Sequence, residues 1–337
     1  MSPSETDTGN VVRRAEPLRV LVAGAGLFGR EHIARLVGRA DVQVVGVADT
    51  SADALAEMSS RFAVANGAAD PLRMIAQTPA DAVIVATPAE SHVEICLRAL
   101  DAGLCVLLEK PVASTAAAAT KLLAASGAAR GFVLPGHVLR FSRDHCRLVE
   151  IVRAGAIGDV LYINSRRYRD ESHAVRYPDV DPILMTLIHD IDLAQWITGA
   201  GFGSVLARRS GGPGFRSITA VSATANSGAI CELRTAWTFP AMDAPADRLE
   251  VVGTRGSVEL VVGEGLRVWN ADQSIERPAD AADDPLRNEQ DHFLACVADR
   301  SRKPALGLPE AIEGLKLAEA SLQSLQLQVE ALVGSRR

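Results

Sequence analysis

No run of about 18 or more apolar residues occurs anywhere in the chain, so no stretch is long enough to cross a bilayer as a helix. Basic charge is not in excess either: 35 Lys and Arg stand against 41 Asp and Glu, a formal net charge of -6. With no positive field to attract a phosphate backbone, no nucleic-acid partner is expected. The first sixteen residues, MSPSETDTGNVVRRAE, lack the apolar segment of a secretory signal and read as a disordered leader. Cysteine is sparse and odd in number. Cys96, Cys105, Cys146, Cys231 and Cys296 are scattered, which fits reduced thiols in a cytoplasm rather than a disulfide framework. His92/Cys96 and His292/Cys296 stand at helical spacing, but zinc needs two further ligands beside each pair. Buried thiols are expected there, and no metal.

What is present is ordinary for a soluble enzyme: 48% of the 337 residues are apolar and 23% charged. Single cores stop growing at roughly 250–300 residues, so two domains are expected. Through residue 135, strand-like runs alternate with helical stretches. Strands are read at Leu18 to Ala23, Val42 to Ala48, Ala82 to Ala86, Leu104 to Leu108 and Phe132 to Leu134. Helices fall between them, at about 28–37, 52–62, 91–102 and 114–125, with Ser114 as the N-cap of the last. Such alternation makes βαβ crossovers and a doubly wound parallel sheet. After Gly136 the pattern changes. A helix at about 144–154, a strand at 160–167 and a helix at 183–197 opened by Asp181-Pro182 lead into residues 204–269, which hold only strands and turns. Two helices, about 285–299 and 309–332, close the chain. The fold class is therefore α/β: an N-terminal Rossmann domain, residues 17–135, plus an α+β domain, 136–337, on a large, mainly antiparallel open sheet.

Gly24-Ala25-Gly26-Leu27-Phe28-Gly29 follows the first strand directly and opens a helix. In that setting the first glycine permits the tight turn, the second lets backbone approach a pyrophosphate, and the third lets the helix pack on the sheet. Asp49 stands twenty residues after Gly29, at the end of the second strand. A carboxylate there can accept hydrogen bonds from ribose hydroxyls and repels a 2′-phosphate, and Thr50 and Ser51 offer no cation to hold one. NAD(H) is expected in preference to NADP(H), although Asp49 can equally cap the helix at Ala52. Glu109-Lys110-Pro111 ends a parallel strand, at the sheet edge where ligands bind, and an ammonium there can stabilise a developing alkoxide.

Ala86-Thr87-Pro88 with His92, then Gly103-x-x-Val106-x-x-Glu109-Lys110-Pro111, resembles the Gfo/Idh/MocA oxidoreductases, relatives of glucose–fructose oxidoreductase and inositol dehydrogenase. Further matches are His137-Val138-Leu139-Arg140-Phe141, Gly155-Ala156-Ile157-Gly158, His189-Asp190-Ile191-Asp192 and Gly253-Thr254-x-Gly256. The resemblance covers nearly the whole chain. It implies Lys110 as the catalytic-site lysine and His189 as the acid/base, with Thr87, Pro88, His92 and Glu109 lining the cofactor. It also implies a dimer or tetramer formed through the C-terminal sheet. One position departs: where the family commonly has Asp, four residues before the histidine, this chain has Met185. Thr186 and Asp192 lie three residues either side of His189, and either is a candidate for the missing polar group.

Arg140, Arg166, Tyr168 and Asp192 are the substrate-side candidates, since arginine suits phosphate or carboxylate. The reading of function is an NAD-dependent dehydrogenase acting on a secondary hydroxyl of a sugar, inositol or nucleotide-sugar. A redox-silent NAD-binding sensor or scaffold, suggested by Met185, and an NAD-dependent glycosidase are the alternatives.

Overall fold

The computed structural model describes residues 16–211, 216–240, 244–271, 274–329 and 331–332. The expected leader thus lies outside the described residues except for Glu16. Six strands form a parallel sheet: β1 Leu18–Ala23, β2 Val42–Ala48, β3 Gly67–Ala68, β4 Ala82–Val85, β5 Cys105–Glu109 and β6 Val133–Gly136. Their order is β3-β2-β1-β4-β5-β6, so the chain reverses direction across the sheet between β1 and β4. The crossovers are α1 Leu27–Leu36, α2 Ala52–Phe62, α3 Pro71–Gln77, α4 Ala89–Asp101 and α5 Ala116–Ser126. β4 and β5 are buried at every position, as strands covered on both faces must be. Alternation of apolar runs with helices sufficed to place all of these except β3 and α3. That unit is short, and its signal is local: Asp70 caps α3 by accepting from the Leu72 and Arg73 amides, with Pro71 at the first helical position. The N-cap of α5 is Thr115 rather than Ser114. Its extended backbone lets the hydroxyl reach the Ala118 amide, the third of the helix, which a cap one residue earlier would miss.

The second sheet has nine strands. They are β7 Val160–Asp170, β8 Phe202–Gly211, β9 Ser217–Ala225, β10 Ile230–Phe239, β11 Arg248–Gly253, β12 Gly256–Val261, β13 Gly265–Asn270, β14 Ser274–Pro278 and β15 Ala331–Leu332. The order is β14-β13-β12-β11-β7-β10-β9-β8-β15, and β7/β10 is the one parallel pair in it. Four helices accompany it: α6 Arg143–Arg153, the short α7 Ser172–Arg176, α8 Ile188–Thr198 and α10 Leu308–Leu327. α6, α8 and α10 pack on one face of the sheet. The other face, where Tyr162, Arg166, Ile230 and Trp269 point, carries no helix among the described residues; Ile230 is 48% exposed and Trp269 39%. No helix among the described residues is long and apolar enough to cross a membrane.

α9, Pro285–Ala298, belongs to the later half of the chain yet packs on the first sheet. Phe293, Leu294 and Val297 share a core with Leu18, Val20, Ile33 and Leu107. Burying a side chain such as Phe293, fully inaccessible here, stabilises by roughly 1.5–3 kcal/mol. α10, which packs on β8 of the second sheet, also packs on α5 and β6 of the first, so sequence-distant contacts join the two sheets.

Candidate active site

The site begins at the glycine turn. Gly24 has φ +99°, and a Cβ there would lie 2.4 Å from the Ala86 carbonyl oxygen at the end of β4. A Cβ on Gly29 would come within 1.9 Å of the Gly24 oxygen. Both glycines are required by close packing. The middle one differs: a Cβ on Gly26 would meet nothing within 4 Å. It faces open space at the start of α1, which has no side-chain cap and no acidic residue in its first turn. Unclaimed amides and the positive helix end are left for an anion, and a pyrophosphate fits. Leu27 is half exposed at the same turn.

Asp49 ends β2 and braces this turn. One carboxylate oxygen accepts from the Ala25 amide at 2.7 Å, and the other from the Ser51 amide at 2.8 Å. Ser51, not Asp49, caps α2. Each carboxylate oxygen keeps a second lone pair, so the residue can hold the loop and still receive a ribose hydroxyl.

At the ends of β4 and β5, Thr87 and Pro88 begin α4. Thr87 Oγ1 accepts from Ser91 at 2.8 Å. His92 is buried and sets both ring nitrogens on backbone carbonyls, Thr87 at 2.7 Å and Pro111 at 2.9 Å. Burial lowers its pKa, although the two carbonyls favour the proton. The ring works as a strut between two cleft-lining turns. Glu109 is likewise buried: one oxygen meets His32 Nε2 at 2.9 Å and the other accepts from the Lys110 amide. Burial would raise its pKa, but His32 and Lys110 bring it below the usual carboxylate value.

Lys110 leaves the end of β5 and crosses to the second half of the molecule. Its Nζ donates to the Met185 carbonyl oxygen at 2.9 Å and lies 3.8 Å from Met185 Sδ, with the Phe28 ring centroid 6.0 Å away. Met185 lies in Ile183–Leu187, a π-helical turn, a local widening of the ladder that recurs at functional sites. α8 then begins, and His189 sits in its first turn, one turn beyond Met185. His189 Nδ1 is buried without a partner. Burial first, then Lys110, Arg167, His137 and Arg169, hold its pKa well below the ordinary value. It is a neutral imidazole able to accept a proton. Burial, with Arg167 and Arg169, also lowers the pKa of Lys110, against the opposing pull of Glu109.

Residues 18–137 match the family described as "Oxidoreductase family, NAD-binding Rossmann fold", and residues 145–259 match the GFO/IDH/MocA C-terminal domain. The chain belongs to the GFO/IDH/MocA family. It is an NAD-dependent oxidoreductase, and both halves of the resemblance read from the motifs hold. A curated relative, inositol 2-dehydrogenase 2 of Saccharopolyspora erythraea, is 31% identical over 72% of this chain and 73% of its own length. The scyllo-inositol dehydrogenase of Lactobacillus casei, solved with NAD(H) and scyllo-inositol, superposes with a TM-score of 0.82 at 19% identity, over 95% of this chain and 100% of that one. The aldose–aldose oxidoreductase of Caulobacter crescentus, solved with glycerol, gives 0.81 at 20% identity, over 94% and 99%. At those identities the two structures speak for the fold.

Arg140 is buried and grips Asp192 through Nε at 2.9 Å and Nη2 at 2.8 Å, and stacks over Trp196. Thr186 Oγ1 accepts from Trp237 Nε1 at 3.0 Å. Neither Asp192 nor Thr186 therefore turns toward Lys110 in place of a carboxylate at 185. Arg166 and Tyr168 lie on the sheet face turned away from Lys110. Arg166 donates to the Ala246 carbonyl, and Tyr168 stacks on Phe239. Strand residues alternate faces, and β7 presents Ser165, Arg167 and Arg169 to the cleft side instead. Arg167 clamps Asp190 at 2.9 and 3.1 Å and also meets Asp247; Arg169 holds Asp247 at 2.8 and 3.0 Å. The buried Ile163 shares their parity and was the sequence signal for this face.

His137 also emerges at the site. Glu109 pairs with Gly136 across β5 and β6, so Lys110 and His137 leave adjacent strands side by side. His137 is buried, its Nδ1 has no partner, and it stands 3.7 Å from Asp192. Away from this cleft, His32, Glu109 and Glu289 bring three possible metal-ligand atoms within 4.8 Å of one another. Gln290 Nε2 donates to His32 Nδ1 and to the His32 carbonyl, which leaves the proton on Nε2, directed at Glu109. That tautomer does not suit a metal.

Proposed function

We propose that this enzyme oxidises a secondary carbinol of a polyol or sugar, with Lys110 and His189 acting on the same substrate oxygen. The observation that carries this reading is the Lys110 contact with the Met185 carbonyl, one turn before an unpartnered, neutral His189. The identity to an inositol 2-dehydrogenase supports a cyclic polyol as the first substrate to try. NAD supplies the two-electron acceptor when bound. Gly24, Gly26, Leu27, Phe28 and Gly29 would hold its pyrophosphate side, Asp49 its ribose, and Thr87, Pro88 and the backbone at Glu109 and Lys110 would form the wall beside it. Lys110 keeps two N–H donors beyond the one spent on Met185, and one of them polarises the carbinol oxygen. His189 takes the hydroxyl proton as the carbonyl forms and the carbon-bound hydride departs. Arg140 and Asp192 form a buried ion pair beside His137.

Residues 17–135 serve the cofactor, and 136–337 serve substrate and assembly. The helix-free sheet face carries a row of arginines, Arg248, Arg166 and Arg234, beside a row of acids, Glu259, Glu250 and Glu232. A two-fold axis across that face would set one copy's arginines on the other's glutamates, over the apolar Ile230 and Trp269. We assign it to a homodimer or homotetramer, in a cytoplasmic enzyme. The test of function is NADH formation with inositols, sugars and nucleotide-sugars. NADH from at least one secondary carbinol is expected; tight NAD binding with no turnover on any of them would favour a sensor instead.

A further inference from the structure

The charge around the reacting centre bears on what the substrate carries. We propose that the substrate is an anion: a polyol bearing a carboxylate or phosphate next to the carbinol that is oxidised, with that group seated between Lys110 and Arg169. This rests on the reading that Lys110 and His189 flank the reacting oxygen.

Each carboxylate near the centre is already committed. Asp190 is held by Arg167 and Ser165, Asp192 by Arg140, and Asp247 by Arg167 and Arg169 together. Glu109, which precedes Lys110 on its own strand, is turned to His32. Among the described residues no carboxylate comes within ion-pair reach of Lys110 Nζ. Its neighbours are a carbonyl oxygen, a thioether sulfur and an aromatic ring. The ammonium has no carboxylate in contact with it; the charge of Glu109, whose side chain is turned to His32, acts on it only from a distance, and burial makes that lack of a contact partner costly.

The side chain that could have supplied one is Met185, whose sulfur lies 3.8 Å from Nζ. A polyol that is neutral finds no charge to meet there; an anion does. Arg169 adds a second cation. It is half-buried, and three hydrogen bonds to Tyr168 and Asp247 leave two of its five donors for a ligand. Arg169 pairs with Trp237 across β7 and β10, and Trp237 donates to Thr186, the neighbour of the Met185 that Lys110 contacts. An anion at this point also secures the protonated lysine that the oxidation needs.

The test compares kcat/KM for NADH formation across matched compounds: a neutral polyol or sugar, its carboxylate counterpart such as gluconate, and its phosphate ester. Hydrogen bonds to charged groups are worth enough for a preference of roughly 10- to 100-fold, so a charged member should exceed its neutral counterpart by that factor. The carboxylate and phosphate arms then say which anion the site takes. Arg169→Gln should erase most of the preference. Met185→Asp, which sets a carboxylate against Nζ, should move it toward the neutral compound. Equal or better turnover of neutral polyols by the unmodified enzyme overturns the proposal while leaving the dehydrogenase reading intact. No NADH from any compound, with NAD binding retained by calorimetry, overturns both.

Discussion

Glu289 offers a prediction that reaches from α9 to the strand that carries Lys110. Its side chain is wholly buried, both carboxylate oxygens lack partners, and the ionised Glu109 stands nearby. Burial, and then Glu109, raise its pKa well above the ordinary value of 4.5. The folded protein therefore keeps a proton that the unfolded chain releases. Folding stability is undiminished by this group below the unfolded pKa and falls as pH rises above it, until the folded pKa is reached. The slope for one group is about 1.4 kcal/mol per pH unit. Glu289→Gln keeps the volume and removes the titration. At about pH 5 the two proteins should melt close together. At higher pH the variant should gain on the parent by about 1.4 kcal/mol for each pH unit until the folded group ionises, and each kcal/mol is on the order of 2 °C in Tm for a chain of this size. Thermal unfolding followed by circular dichroism across that range is the assay. Parallel pH curves for the two proteins would refute the claim that Glu289 is buried in its neutral form. Because Glu109 precedes Lys110 and orients through His32, the variant should also keep its NAD affinity.

Two further expectations concern cofactor and assembly. NAD should bind more tightly than NADP, and Asp49→Ser combined with Thr50→Arg should narrow the gap; tighter NADP binding to the unmodified protein by calorimetry would contradict the role given to Asp49. Light scattering should find a dimer or tetramer at micromolar concentration, and Arg166→Glu with Arg234→Glu should weaken it by placing acid against acid; a monomeric parent protein would remove the assigned interface.

Much of the first domain could be read from the chain alone. β1, β2 and α2 have the bounds that their apolar runs and flanking residues imply; β1, buried at all but one position, leaves an almost uninterrupted apolar signal. β7 was harder. Asn164, Arg166 and Tyr168 on one parity face Ser165, Arg167 and Arg169 on the other, so polarity alone does not say which face meets the helices. Arg166 and Tyr168 were expected at the substrate, and the cleft instead receives Arg167 and Arg169. The π-helical turn at 183–187 was read as ordinary helix, since one extra residue in a turn leaves the apolar spacing almost unchanged. His32 and Gln290 are 258 residues apart, and nothing local announces their contact. Lys110 and His189 were singled out through motifs, but the contact of Lys110 with the Met185 carbonyl, one turn before His189, was not, because its partners lie 75 residues apart in the chain.

The joint action of those two residues is the centre of the account, and a double-mutant comparison tests it most directly. On whichever substrate the screen returns, Lys110→Ala should lower kcat by on the order of 10²–10³, as loss of one electrostatic stabiliser does. His189→Ala should lower it by roughly 10²–10⁴ with the Kd for NAD nearly unchanged. The double variant should fall by clearly less than the product of the two, since groups acting on one oxygen fail as a unit. A His189→Ala enzyme with near-parental kcat, or losses that multiply in full, would contradict the account.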